Sequence, residues 1–259
     1  MAAKGRADSQ AAAFARRLSA LEEGAIRAGA AGRHLAGMAP GDAVELLAAL
    51  VAAGAEDWGT AAVVAVGQAL LAAGSPIDYE WRAAVYAEAR ERDWPHVAAL
   101  FLSPGPGRAF QEPRDKADPA AARLTLGHKK SLARLRRDPD LLARLAAEGD
   151  PSVIRELLRN PLVTEAEAAR IAARRPARPE TLRALHEDRR WRSRSAVRRA
   201  LARNPFVETE IALHILPTLP MRQVDDMAED GTLHPAVREA ARKLSETRGG
   251  RRRRRSPSG

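Results

Sequence analysis

From residue 9 onward the chain repeats one pattern: apolar residues recur every three or four positions, and short breaks of Gly, Pro, Asp or Asn interrupt them. That spacing is the helical period. "SQAAAFARRLSALEEGAIRAGAAGRHLAG" predicts helix behind Ser9 as an N-cap, and "GDAVELLAALVAAGA" predicts another after Pro40-Gly41, capped by Asp42. A helix is expected over Gly59 to Gly74, and another from Asp78 through "IDYEWRAAVYAEARERDW". In the latter, Trp81, Val85 and Ala89 fall four apart and form a core stripe. "HVAALFL" closes this N-terminal unit. "SPGPGRAFQEPRDKADP", Ser103 to Pro119, is rich in Pro, Gly and charge and reads as a linker.

Beyond the linker the pattern copies itself. "VIRELLRNPLVTEAEAARIAA" from Val153 aligns without a gap on "VRRALARNPFVETEIALHILP" from Val197. The shared positions include Arg155 with Arg199, Leu157 with Leu201, Arg159-Asn160-Pro161 with Arg203-Asn204-Pro205, and Ile171 with Ile215, all at an offset of 44. "HPAVREAARKL" places Val237 in the role of the two opening valines. Each copy divides into three short helices. The first runs to the Asn-Pro, where asparagine tolerates the left-handed turn and proline lacks the N–H to continue. The second starts near Thr164, which stands at capping-box spacing from Glu167. The third carries an apolar pair three apart: Leu142 and Leu145, Leu182 and Leu185, Val224 and Met227. Pro139 and Pro179 sit three residues before their pairs, in a first turn that accepts proline. Short single-stripe helices are stable only against neighbours, and a period of this length is the signature of stacked helical repeats.

The run R-x-L-x-R-N-P-x-V followed by a second helix resembles the HEAT-like and leucine-rich-repeat-variant α-solenoids of bacteria, over roughly residues 119 to 246. The repeat unit is longer than in the variant family, and no cysteine cluster accompanies it. The resemblance implies a curved helical scaffold that binds a partner. The expected fold is therefore all-α: an N-terminal helical unit (1–102), a linker (103–118), a repeat domain of three-helix units (119–247) and a disordered arginine-rich tail (248–259).

Composition agrees with helix. Aromatic residues make up 4% of the chain, while alanine and leucine are abundant. With no cysteine, disulfides and cysteine-held metal centres are excluded, and a reducing, cytoplasmic setting is expected. The apolar Gly59–Gly74 stretch is shorter than the roughly 20 residues of a membrane span and reads as a buried helix. The net charge of +10 is uneven: residues 1 to 116 hold 12 basic and 14 acidic side chains, the remainder 31 and 19. Arginine supplies 38 of the 43 basic residues. Such asymmetry fits polyanion binding, and equally the arginine-heavy composition of a GC-rich genome.

The densest cluster is "HEDRRWRSRSAVRRALARNP", residues 186 to 205, with seven arginines around one tryptophan. It fills the longest joint between copies, the place where repeats insert binding residues. Candidate contacts to a polyanion or partner are Arg189, Arg190, Trp191, Arg192 and Arg194 in the joint. Arg198, Arg199 and Arg203 continue onto the next helix, matched by Arg155 and Arg159 in the preceding copy. If stacked, Arg155, Arg159, Arg199 and Arg203 make a ridge of four guanidinium groups. Neutralising about four phosphates would give binding a log–log salt slope near −3.6. Trp191 either stacks on an unpaired base or covers the end of the third helix's core, and the arginines are either that ridge or a solvated face paired with Glu156, Glu165, Glu167 and Asp188. Arg251, Arg252, Arg253, Arg254 and Arg255 form a polyanion-seeking arm.

No catalytic signature is present. The six histidines never fall at i, i+4, and His214 within "IALHIL" reads as a core residue. No cofactor, metal or small-molecule ligand is expected. The leading expectation is a non-catalytic scaffold for protein–protein interaction. The alternative is a nucleic-acid-binding protein using the arginine ridge and tail. An enzyme resembling the helical-repeat DNA glycosylases, with Asp188 and Trp191 in the catalytic parts, rests on fold analogy alone.

Overall fold

The polar breaks in the sequence are where the chain turns. A computed structural model describes residues 2–54, 57–72, 74–112 and 124–255, and the side chains of 7–54, 59–72, 74–112 and 124–250. Among these residues the regular structure is fifteen α-helices and two 3-10 turns, with no strand. The first six helices are α1 (Ala2–Ser19), α2 (Gly24–Ala36), α3 (Pro40–Ala53), α4 (Asp57–Leu71), α5 (Tyr79–Glu91) and α6 (Pro95–Ala98). Six short ones follow: α7 (Leu126–Leu135), α8 (Pro139–Glu148), α9 (Pro151–Leu158), α10 (Glu165–Ala173), α11 (Pro179–Glu187) and α12 (Ser195–Ala202). The last are α13 (Thr209–Ile215), α14 (Met221–Glu229) and α15 (Pro235–Arg255). The 3-10 turns are Ala99–Phe101 and Leu216–Thr218. No described helix is long and apolar enough to cross a membrane.

The chain forms two compact units. The first is 1–104 with 213–231 and 235–259; the second is 105–212 with 232–234. The domain expected over 119–247 is thus divided, because 213–231 and 235–247 belong to the first unit.

In the first unit α3 is central, with α1, α4, α5, α6, α15 and the Leu216–Thr218 turn packed around it. Its Ala43, Val44, Leu46, Leu47, Leu50 and Val51 are buried, which is why this helix is apolar on nearly every side. Asp78 caps α5 as its position predicts, accepting from the Trp81 N–H at 2.7 Å. Two other expected caps lie elsewhere. Ser9 is inside α1, and Asp42 sits in the first turn of α3 behind Ala39, which makes no side-chain cap. α3 ends at Gly54, where an added Cβ would stand 2.4 Å from the Pro217 carbonyl oxygen. Only glycine permits that approach.

The C-terminal helix departs most from expectation. Val237, Ala240, Ala241 and Leu244 form a buried stripe on α15, and Arg248 continues the same face, 7% exposed. The tail expected to be disordered from Arg248 is helical to Arg255; 256–259 and the side chains of 251–255 lie outside the described residues. The sequence reading took a guanidinium for a solvent group. Here it is sequestered by main-chain carbonyls, donating to Leu219 at 2.9 Å, to Val51 at 3.0 Å and to Pro217.

In the second unit, Thr164 and Glu167 form the full capping box, and Pro139 and Pro179 occupy the first turns of α8 and α11. α7 packs on α9, α10 on α12, and α9 on α11. Val153 and Val197 are buried alike, as are the pairs Leu142–Leu145 and Leu182–Leu185. The expected linker divides: 113–118 lie outside the described residues, while 103–112 are ordered by specific bonds. Thr209 Oγ1 donates to the Gly105 carbonyl at 2.6 Å, the Arg108 N–H to Pro205 at 2.9 Å, and Arg178 to the Glu112 carboxylate at 2.6 Å.

Candidate functional site

The Asn-Pro helix ends prove to be cross-helix clamps. Asn160, 2% exposed, donates its Nδ2 to the carbonyls of Ala133 and Arg136, both at 2.9 Å, which terminate α7. Its Oδ1 accepts from the Leu162 N–H at 3.0 Å. Asn204, 1% exposed, does the same one copy later. It donates to Ala172 at 2.7 Å and Arg174 at 2.9 Å at the end of α10, and accepts from Phe206 at 3.1 Å. One side chain thus satisfies carbonyls that a helix end leaves without partners and also fixes the turn that follows.

The arginine-rich joint folds back onto the same place. Asp188 Oδ1 accepts from the main-chain N–H of Arg190 at 2.8 Å and of Trp191 at 3.3 Å, tightening the turn. Trp191 is 1% exposed, its Nε1 donating to the Leu158 carbonyl at 3.1 Å. Arg190 lies over the indole, 4.2 Å from its centroid, and donates to the carbonyls of Asn160 at 3.1 Å and Val163 at 2.8 Å. These two residues therefore close the C-terminus of α9. A buried indole with its N–H engaged is no platform for a base, and Trp191 takes the core role.

The other predicted residues sort by environment. Arg198 is half-buried and donates to the Ser193 carbonyl at 3.0 Å; burial pushes its guanidinium below the usual value. Burial does the same to Arg192, with Arg189 adding repulsion and Asp188 opposing it. Arg194 stands 4.0 Å from Glu165, and Arg159 pairs with Glu156 at 3.0 Å while its side chain stays 64% exposed. Arg189 is exposed and Arg203 half-buried. Arg155 and Arg199, equivalent in the two copies, are both exposed, and neither side chain bonds or pairs with another described residue. The side chains of Arg251 to Arg255 lie outside the described residues.

Three leucines of the second unit are exposed: Leu126, Leu135 and Leu162. Leu135 and Leu162 flank the Asn160 clamp, since Asn160 binds Ala133 and Arg136 on one side and Leu162 on the other. Sequence reasoning passed over them because a lone leucine carries no sign of whether it is buried or exposed.

The second unit also holds most of the charge. It contains 24 basic and 15 acidic residues, so +9 of the chain's +10. Among the described residues there is no group of three or more His, Asp or Glu placed to hold a metal. His214 is a core residue, its Nε2 at 2.7 Å from the Leu100 carbonyl.

The first unit contains a concavity that sequence reasoning missed. It has a volume of about 450 Å³ and is lined by residues of α1, α3, the α5–α6 turn, α6 and α15, among them Ala49, Ala52, Asp93, Trp94 and His96. These come from segments widely separated in the chain, and no local spacing signals them.

Protein-family models, curated proteins and solved structures yield no match to this chain.

Proposed function

We propose that the chain is a non-catalytic helical-repeat scaffold that binds a protein partner in the cytoplasm, the second unit acting as a short α-solenoid of the kind its sequence resembles. The observation that carries this reading is the pair of equivalent asparagine clamps, 44 residues apart, which give both copies the same joint. Scaffolds of this architecture bind through residues displayed at equivalent positions of successive repeats. Arg155 and Arg199 are such positions, and Leu135 and Leu162 add exposed apolar surface on the same unit. Arginine with apolar side chains is the composition of protein interfaces, and an acidic partner surface would complement it.

A second reading, nucleic-acid binding, is favoured by the +9 charge of the second unit. It ranks below the first because Trp191, the aromatic residue among the arginines, is buried.

Affinity capture from lysate with and without nuclease treatment separates the two, comparing the wild-type chain with Arg155→Glu/Arg199→Glu and with Leu135→Asp/Leu162→Asp. The scaffold reading expects a specific protein retained by the wild type and lost from both variants. Capture that disappears on nuclease treatment, together with a gel-shift whose salt slope is near −3.6, would replace it with the nucleic-acid reading. Variants that retain every captured protein would defeat both assignments of the surface.

A further inference from the structure

The concavity of the first unit has the dimensions of a ligand site. Its volume of about 450 Å³ lies within the range of roughly 300–1,000 Å³ over which proteins enclose small molecules. Ala48, Ala49 and Ala52 of α3 leave the space, and the Trp94 indole supplies a broad apolar wall.

The polar part of the lining is mainly acidic. Among the described residues, Asp8, Glu45, Asp93 and Glu246 line it together with one lysine, Lys243. Glu45 pairs with Arg92 at 3.1 Å, Glu246 with Lys243 at 3.4 Å, and Asp8 has an interaction of its own. Asp93 has no hydrogen-bond or ion-pair partner for its side chain among the described residues. It is held at φ 52°, a left-handed conformation that few residues other than glycine adopt and that Asp and Asn tolerate best.

His96 gives a second, independent observation. It lines the same space, is 7% exposed, and makes no hydrogen bond to any described residue. Ring nitrogens that line a cavity are ordinarily met there by water or a ligand. Burial, with Arg248 adding repulsion, lowers its pKa to about 4, so at neutral pH the ring is uncharged and carries a free acceptor nitrogen.

An acceptor on a neutral ring, a carboxylate without a partner among the described residues and an aromatic wall converge on one chemistry. We propose that this cavity binds a small amphiphilic organic ammonium, its apolar body against Ala49, Ala52 and Trp94 and its charged head between Asp93 and His96. The ammonium N–H groups donate to the Asp93 carboxylate and the His96 imidazole. The indole face adds attraction for a cation, as it already does for Arg92, whose guanidinium lies 5.5 Å from the ring centroid. A carboxylate head would meet Asp93 with like charge, and an alcohol would lose the ionic contribution.

Three probes with one tail and three heads test this: n-octylammonium, 1-octanol and octanoate, titrated calorimetrically into the full chain at pH 7. The ammonium is expected to bind at least tenfold more tightly than the alcohol, with octanoate weakest, and to shift the His96 ring resonances. Asp93→Asn keeps the tolerance for the left-handed backbone and removes the charge. It is expected to lower ammonium affinity at least tenfold while leaving the alcohol unchanged. Ala52→Leu fills the cavity and is expected to weaken all three probes, with folding checked by circular dichroism. If Ala52→Leu fails to fold, Asp93→Asn decides alone. No heat with octylammonium up to millimolar concentration, equal or tighter binding of octanoate, or an Asp93→Asn variant that binds like the wild type would overturn the proposal.

Discussion

Arg248 donates to the main-chain carbonyl of Val51, 197 residues earlier in the sequence, at 3.0 Å. The same guanidinium serves Leu219 and Pro217, and Gly54 also lies against the Pro217 carbonyl. A planar group with several fixed donors thus satisfies the ends of two segments and joins α15 to α3.

Removing that group should therefore loosen the first unit. Arg248→Ala leaves three buried carbonyls without their donor and is expected to cost about 3 kcal/mol in urea denaturation. Arg248→Lys should recover little, because an ammonium lacks the fork that reaches separate acceptors. Either result within about 0.5 kcal/mol of wild type would mean that the guanidinium does not hold the two segments together.

The two asparagines make a paired prediction. Asn160→Ala and Asn204→Ala each remove two donors and one acceptor from a buried joint, and each is expected to cost about 3 kcal/mol. Asp at either position should be no better, since a carboxylate would face two carbonyl oxygens. Hydrogen exchange should locate the damage: the Leu162 amide loses protection in the first variant and the Phe206 amide in the second. Protection unchanged in both would show that the turns hold without their clamps.

What the sequence revealed follows from how far each interaction reaches along the chain. The Thr164–Glu167 box, the first-turn prolines and the leucine pairs act within one helical turn, so their spacing alone identifies them. The Asn-Pro ends were legible as helix stops because Asn160 and Asn204 recur at a fixed offset. Their targets were not: Ala133 and Ala172 lie 27 and 32 residues back and share no pattern with the asparagines. The carbonyl partners of Arg190 and Arg248 stayed out of sight for one reason. Residue type marks a guanidinium as solvated, and only the fold shows carbonyls waiting for it. The concavity failed to register because Ala49, Asp93, His96 and Glu246 belong to different helices and turns.

Trp191 offers a spectroscopic check on the arginine joint. Trp191→Phe keeps most of the buried ring but leaves the Leu158 carbonyl without the indole N–H, for an expected loss of about 1 kcal/mol. Trp191→Ala empties the site and should cost about 3–5 kcal/mol. Nucleic acid should leave Trp191 emission unchanged in a variant that keeps it as the sole tryptophan. Quenching there would restore the base-stacking role that its burial argues against.

The pH dependence of stability carries a sign that His96 fixes. Burial, with Arg248 adding repulsion, lowers its pKa from 6.5 to about 4 in the folded chain. Between those values the unfolded chain holds a proton that the folded chain does not, so stability rises with pH across that interval. The contribution is complete above pH 6.5, declines as the pH falls toward 4, and changes no further below that. A difference of this size corresponds to about 3 kcal/mol. Urea midpoints at pH 7 and pH 5 should therefore differ in the wild type, and His96→Gln should flatten the difference. Some slope should survive in that variant, because burial and Arg17 lower the His34 pKa in the same sense. Carboxylates that titrate below about pH 4.5 stay out of this comparison, which makes the interval from 7 to 5 diagnostic. A His96→Gln variant as pH-sensitive as the wild type would show that the imidazole is not held neutral beside Arg248.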